Sequence, residues 1–160
     1  ISLRLPPRRH PMLTRRSRAR EVALQLLFQT DQNPTGMPRK AVEAFARDRL
    51  VNEQALRGGA GLAAFALGLF DGVNDKRAEI DPTISSVAEN WRLTRMSVVD
   101  RNVLRLGTFE LLFDPARPPL EVVIDEAIEL SRRFGAKESP GFVNGILDRI
   151  ARMRDAKPTA

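Results

Sequence analysis

Arginines at 15, 16, 18 and 20 fall within six residues, Arg4, Arg8 and Arg9 precede them, and residues 1–20 contain no aspartate, glutamate or lysine. A guanidinium presents a planar fork of donors that pairs bidentately with phosphate and stacks on bases, so this clustering suits a polyanion. The chain carries 26 basic and 20 acidic side chains, and setting aside these seven arginines leaves 19 against 20, a body close to neutral. The excess charge is therefore an arm. Such blocks bind nucleic acid, and arginine-rich segments often fold only on RNA. The competing reading is a solvated tail or a targeting peptide. Phe28 adds a second kind of chemistry, because a ring beside a basic arm can stack on an unpaired base. The alternative for Phe28, a ring packed against a neighbouring helix, stays open at this level.

The composition removes several classes of function. At 160 residues, 42% hydrophobic and 29% charged, the chain suits one domain or two small ones with a real core. No apolar run approaches the roughly 20 residues of a membrane-spanning helix, and the N-terminus lacks the apolar centre of a secretory signal, so a cytoplasmic location is expected. Cysteine is absent, which excludes disulfides, thiolate metal sites and cysteine nucleophiles, and the single histidine, His10, lies in the arm. No metal or cofactor is expected. Met12 stands three positions before Arg15 and is a candidate start, which would make Leu13 to Arg20 the arm proper.

The elements that must position the arm and the ring are helical. Val22, Ala23, Leu26, Leu27 and Thr30 recur at helical spacing, with Leu24 and Phe28 on the other side in line with Arg20. A second helix runs from Arg39 to Leu56, the glycines at 58, 59 and 61 mark a helix junction, and Leu62 to Val73 read as a strongly apolar third helix. Asp81-Pro82 has the form of an N-cap with proline at the first helical position, which predicts a new short helix toward Trp91, itself expected to anchor the core. Ser97 and Asp100 have capping-box spacing before a central helix that reaches Phe113. A further helix begins at Pro119 and is expected to end at Gly135 in a left-handed cap, and Ser139-Pro140 opens the last, in which Gly145 suggests close helix packing. About seven helices and no strand alternation make the class all-α. The expected divisions are a flexible extension over 1–14, helical halves over 15–81 and 82–153, and a flexible tail over 154–160.

The run Ile124-Asp125-Glu126-Ala127-Ile128-Glu129-Leu130-Ser131-Arg132-Arg133-Phe134-Gly135, followed by Phe142-Val143-Asn144-Gly145-Ile146-Leu147-Asp148, resembles the C-terminal signature of the NusB family of transcription antitermination factors. Arg18-Ala19-Arg20-Glu21 and Leu104-Arg105-Leu106-Gly107-Thr108-Phe109-Glu110-Leu111 agree with it, so the likeness spans about Arg15 to Arg152. The resemblance implies two stacked three-helix subdomains with an extra helix and no enzymatic activity. It also implies pairing with the ribosomal protein called NusE, binding of the boxA element of nascent RNA, and help to RNA polymerase in reading through terminators in ribosomal RNA operons. Carried over by position, the RNA-binding residues would be Arg15, Arg16, Arg18, Arg20, Phe28, Glu138 and Phe142, and the NusE-facing surface would include Asp100 and Arg101. The family's aromatic at position 28 is commonly tyrosine; phenylalanine keeps the stacking and loses the hydroxyl.

Two other classes fit less well. NusB-like domains also precede catalytic domains in RNA cytosine methyltransferases, but this chain has neither the cysteine to attack a base nor a glycine-rich turn for a methyl donor. A DNA-reading helix-turn-helix should carry its charge on a recognition helix, whereas Arg132-Arg133 lies among Glu126, Glu129 and Glu138.

Overall fold

The computed structural model of the chain, which describes residues 11–57 and 59–156, is helical throughout, with no strand among the described residues. Six α-helices follow in order: α1 (Pro11–Gln32), α2 (Arg39–Ala55), α3 (Leu62–Val87), α4 (Val98–Thr108), α5 (Leu120–Phe134) and α6 (Ser139–Ala156). A 3₁₀ turn at Leu93–Arg95 precedes α4, and a π-helical turn at Phe109–Phe113 continues it. None of these helices is long and apolar enough to cross a membrane.

The apolar stripes read from the sequence face inward. Val22, Ala23, Leu26 and Leu27 of α1 are fully buried, with Val73, Ile80 and Ile84 of α3 and Leu104, Leu147 and Ile150 from the second half. Helices α1, α2 and α3 pack together, as do α4, α5 and α6, and the two groups meet where α4 lies against α1 and α3. The Ser97 N-cap holds without the reciprocal bond of a full capping box: Ser97 Oγ accepts the Asp100 backbone N–H at 3.1 Å, and α4 starts there.

Local signals failed in four places, each for a visible reason. No helix begins at Asp81-Pro82, because Pro82 lies inside the 26-residue α3. Proline there gives up one backbone hydrogen bond, but Ile80, Ile84 and Val87 bury on either side of it, and Asp81 takes Arg105 in a two-point ion pair at 2.9 and 3.1 Å instead of capping. Two expected helices thus merge, which lowers the count from about seven. Residues 11–14, expected within a flexible extension, belong to α1, and residues 154–156 of the expected tail belong to α6; residues 1–10 and 157–160 lie outside the described residues. Gly135 does not adopt the left-handed cap: its backbone is extended at φ −95°, and a Cβ there would meet Ser131 and Ser139 at 2.7–2.8 Å.

Gly145 is the fourth, since it is exposed and a Cβ on it would touch nothing within 4 Å. The close packing it suggested occurs at Gly72 and Gly107, where a side chain would run into the Phe109 ring and into Leu147. The two sites should respond oppositely to alanine. Gly72→Ala overpacks the α3 contact with the π turn and should cost about 1–3 kcal/mol, whereas Gly145→Ala should gain up to about 1 kcal/mol from helix propensity; urea midpoints of the two variants check both signs.

Candidate nucleic-acid interface

The four arginines of α1 divide by burial. Arg16 is exposed with its guanidinium 5.3 Å from the Phe65 ring centre, and Arg15 is half-buried. Arg18 points along the surface, pairing with Glu21 at 3.0 Å and approaching Glu53 at 3.7 Å. Arg20, expected to contact RNA, is only 2% exposed. Its Nε and Nη2 donate to Glu110 at 2.8 and 2.9 Å, Glu126 stands 3.8 Å from Nη1, and its guanidinium lies 5.5 Å from the centre of the same Phe65 ring that Arg16 faces. Burial works against the Arg20 charge, but Glu110, Glu126 and Asp114 more than restore it, so the guanidinium is held more firmly protonated than usual. As placed, Arg20 is spent inside the protein.

Phe28 is the exposed ring of the two alternatives, at 41%. It opens on a groove of about 410 Å³ lined by Leu24, Gln25, Gln29, Phe45, Arg49, Val99 and Phe134. Leu24 reaches its floor and is buried, although the helical pattern set it on the same side as Phe28. Arg49 lies 4.6 Å over the Phe45 ring, and Arg133 lies 4.9 Å over Phe134 while its Nη1 donates to Glu21 at 3.1 Å.

Phe142 is half-buried and meets Trp91 edge to face, with ring centres 5.9 Å apart and planes at 70°. Trp91 is 55% exposed and does not anchor the core; α3 ends at Val87, which leaves the indole in the connecting loop. Glu138 is exposed in the turn between α5 and α6, where its carbonyl accepts the Phe142 N–H at 3.2 Å and Ser139 Oγ accepts the Ala136 N–H at 3.0 Å. That turn joins the Phe28–Phe134 groove to the Trp91–Phe142 pair along the chain.

The start of α4 is more internally committed. Arg101 Nε donates to Asp31 Oδ2 at 2.7 Å, and Asn102 Nδ2 and Arg105 Nη1 reach the same oxygen at 2.9 and 3.3 Å. Asp100 is half-buried, and its Oδ1 is shielded from solvent without a hydrogen-bond partner. Burial pushes the Asp31 carboxyl up, but the hydrogen bonds from Arg101 and Asn102 and the charges of Arg101 and Arg105 outweigh it and hold the group below its ordinary value.

Residues 17–152 match the NusB family. The chain is 43% identical over 136 residues to the transcription antitermination protein NusB of Elusimicrobium minutum (strain Pei191), covering 85% of this chain and 92% of that one. It is 46% identical over 140 residues to the protein of that name from Anaeromyxobacter dehalogenans (strain 2CP-1 / ATCC BAA-258), covering 88% and 92%. The chain belongs to the NusB family. Among solved structures, T. maritima NusB superposes with a TM-score of 0.70 at 40% identity, over 86% of this chain and 90% of that one. A chain from a complex of antitermination factors NusB and NusE with double-stranded RNA shares the fold at a TM-score of 0.69 and 23% identity, over 88% and 98%.

In this NusB-family chain the helical pattern counts Phe134 with the Val123, Ala127 and Leu130 stripe, whereas it is 38% exposed, and the pattern does not single out Arg49 or Arg133. Arg133 was set aside as isolated among acids; its ring partner at the next position was the available sign. Phe45 and Arg49 are four apart, a spacing that places both on one helix face. Two outcomes follow from the ion pairs. Arg20→Ala leaves Glu110 buried and unpaired and should cost about 3–5 kcal/mol, whereas Arg16→Ala should stay within about 0.5 kcal/mol of the parent, as chemical denaturation would show. Asp31 titrates lower in the folded than in the unfolded chain, so its stabilisation is full above the ordinary aspartate range and is lost as pH falls through the folded value. Asp31→Asn should therefore flatten the acid limb of a stability-against-pH curve, measured as urea midpoints.

Proposed function

We propose that this chain is a non-catalytic, RNA-binding transcription antitermination factor of the cytoplasm. It pairs with the ribosomal protein NusE, binds boxA-type single-stranded RNA, and helps RNA polymerase to transcribe ribosomal RNA operons processively. The observation that carries the reading is the placement of exposed Arg16 on the same helix as exposed Phe28, while the buried Arg20 and the Arg101 and Arg105 guanidiniums are committed to internal ion pairs. Family membership supports it.

In this reading Arg15, Arg16 and Arg18 supply phosphate affinity, and Phe28 and Phe142 stack unpaired bases, with Glu138 beside Phe142 limiting how closely the backbone can approach. Arg20 acts indirectly, by holding α1 in place. Asp100 and Arg101 belong to the NusE-facing surface, where the unpartnered Asp100 oxygen offers an acceptor to a donor from the partner. The division of labour is electrostatic affinity from α1 and base contact from the rings.

The test is a titration of fluorescent boxA-type RNA, and of a scrambled RNA of equal length, with this protein alone and with NusE. Binding should favour boxA, strengthen with NusE, weaken steeply with salt, and fall about tenfold or more in Arg15→Ala/Arg16→Ala/Arg18→Ala. Equal and weak binding to both RNAs, unmoved by NusE, overturns the proposal.

A further inference from the structure

Every nitrogen of the Arg18 guanidinium faces an acceptor of the protein itself. Nη1 pairs with Glu21 Oε1 at 3.0 Å, Nε stands 3.7 Å from Glu53 Oε1, and Nη2 donates to the Arg49 carbonyl at 3.5 Å. A guanidinium engaged on all three nitrogens has to give up contacts before it pairs bidentately with a phosphate. Two features make these contacts easy to give up. The buried Glu21 also takes Arg133 Nη1 at 3.1 Å, so it keeps a cation when Arg18 leaves. Glu53 has only Arg18 as a cation among the described residues, but its side chain is 27% exposed and water replaces the lost partner. Arg20 has no such freedom, since turning it outward leaves Glu110 buried and unpaired. Arg16 is already exposed over Phe65. Arg18 is therefore the arginine of α1 with a place on the protein and a low barrier to leaving it.

We infer that Glu53 of α2 is a selectivity residue: with Glu21 it holds Arg18 on the protein until an RNA strand seated in one register draws the guanidinium away. The inference rests on the RNA-binding reading above and concerns how that surface turns away other polyanions. A strand held by its phosphates alone slides, and its phosphates stand in no fixed place relative to Arg18. Such an encounter does not displace the two carboxylates. A strand fixed by its bases presents one phosphate steadily, and the bidentate pair then outweighs a partly exposed ion pair. Glu53 thus lowers affinity for every RNA, and lowers it most for the wrong one, which is discrimination by a repulsive element. Its seat on α2, away from the arginine cluster in sequence, is brought to Arg18 by the packing of α1 on α2.

The experiment titrates boxA-type RNA and a scrambled RNA of equal length, by fluorescence anisotropy with NusE present, against the parent protein, Glu53→Gln, Glu53→Ala, Arg18→Ala and the double variant Arg18→Ala/Glu53→Gln. Both substitutions of Glu53 should strengthen binding of the scrambled RNA about two- to fivefold, the size of a partly exposed ion pair, and binding of boxA-type RNA by less, so that the ratio between them falls. In the Arg18→Ala background Glu53→Gln should have no effect. Asp48→Asn removes the same charge from a 74% exposed side chain of α2 and should leave the ratio unchanged. Circular dichroism melting of each variant establishes that it is folded. A gain that persists without Arg18, or that Asp48→Asn reproduces, would reduce the effect to net charge and overturn the inference. An equal gain for both RNAs would make Glu53 a brake on affinity alone and overturn its part in selectivity. Selective binding by the parent that neither Glu53 variant alters would sink the inference while the RNA-binding reading stands. Failure of the parent protein to bind any RNA would overturn both.

Discussion

The pair between Arg20 and Glu110 is the contact on which the arrangement of helices depends. It joins the first helix to the π turn at the end of α4, with Glu126 bringing in α5 and the Phe65 ring bringing in α3. Two side chains buried to this extent are costly to desolvate, and the cost is offset only while the bidentate geometry and the added hydrogen bonds hold. Ser17 Oγ, 2.6 Å from Glu126, is one of those supports. Burial nonetheless raises the Glu126 carboxyl above its ordinary value, with Ser17 and Arg20 opposing that and the charges of Glu110 and Glu129 adding to it. Position and angle of α1 are thereby set, and with them the direction in which Arg16 and Phe28 leave the surface.

The π turn carries Glu110. The Asp114 N–H reaches the Phe109 carbonyl at 2.9 Å, five residues back, and the widened turn buries Phe109, Glu110 and Leu111 in succession. Phe109 then fits over the bare backbone of Gly72, and Glu110 faces Arg20. Nothing in the periodicity of Val99 to Phe113 separates such a turn from an ordinary helix, because a single extra residue is invisible to a count of apolar positions.

Much of the fold was legible because the stripes on α1, α4, α5 and α6 are regular and the Ser97 cap is strong. The merging of two expected helices into α3 was not, since the Asp81-Pro82 signal is local and what overrides it, burial of Ile80 and Ile84 and the reach of Arg105, comes from residues distant in sequence. The site was legible by residue type more than by location. Phe28 and Phe142 kept accessible surface as the pattern allowed, but nothing in the spacing of the four arginines tells the buried one from the exposed ones. The turn in which a side chain faces a carboxylate 90 residues away is a tertiary fact. Trp91 shows the reverse error, a large apolar residue assumed to be inside that the end of α3 leaves in a loop.

The length of α3 bears on how the molecule comes apart. At 26 residues it extends about 39 Å along its axis, packing against α1 and α2 of its own group and against α4 and α6 of the other. The boundary that a cap signal would have drawn at Asp81 is crossed by continuous backbone, with Asp81 itself bound to Arg105 of the second group. Neither group of helices can lose its structure without withdrawing a wall from the other. The chain is therefore built to melt as one cooperative unit, and damage in either half is felt at the Arg16 end of α1 through the shared helix.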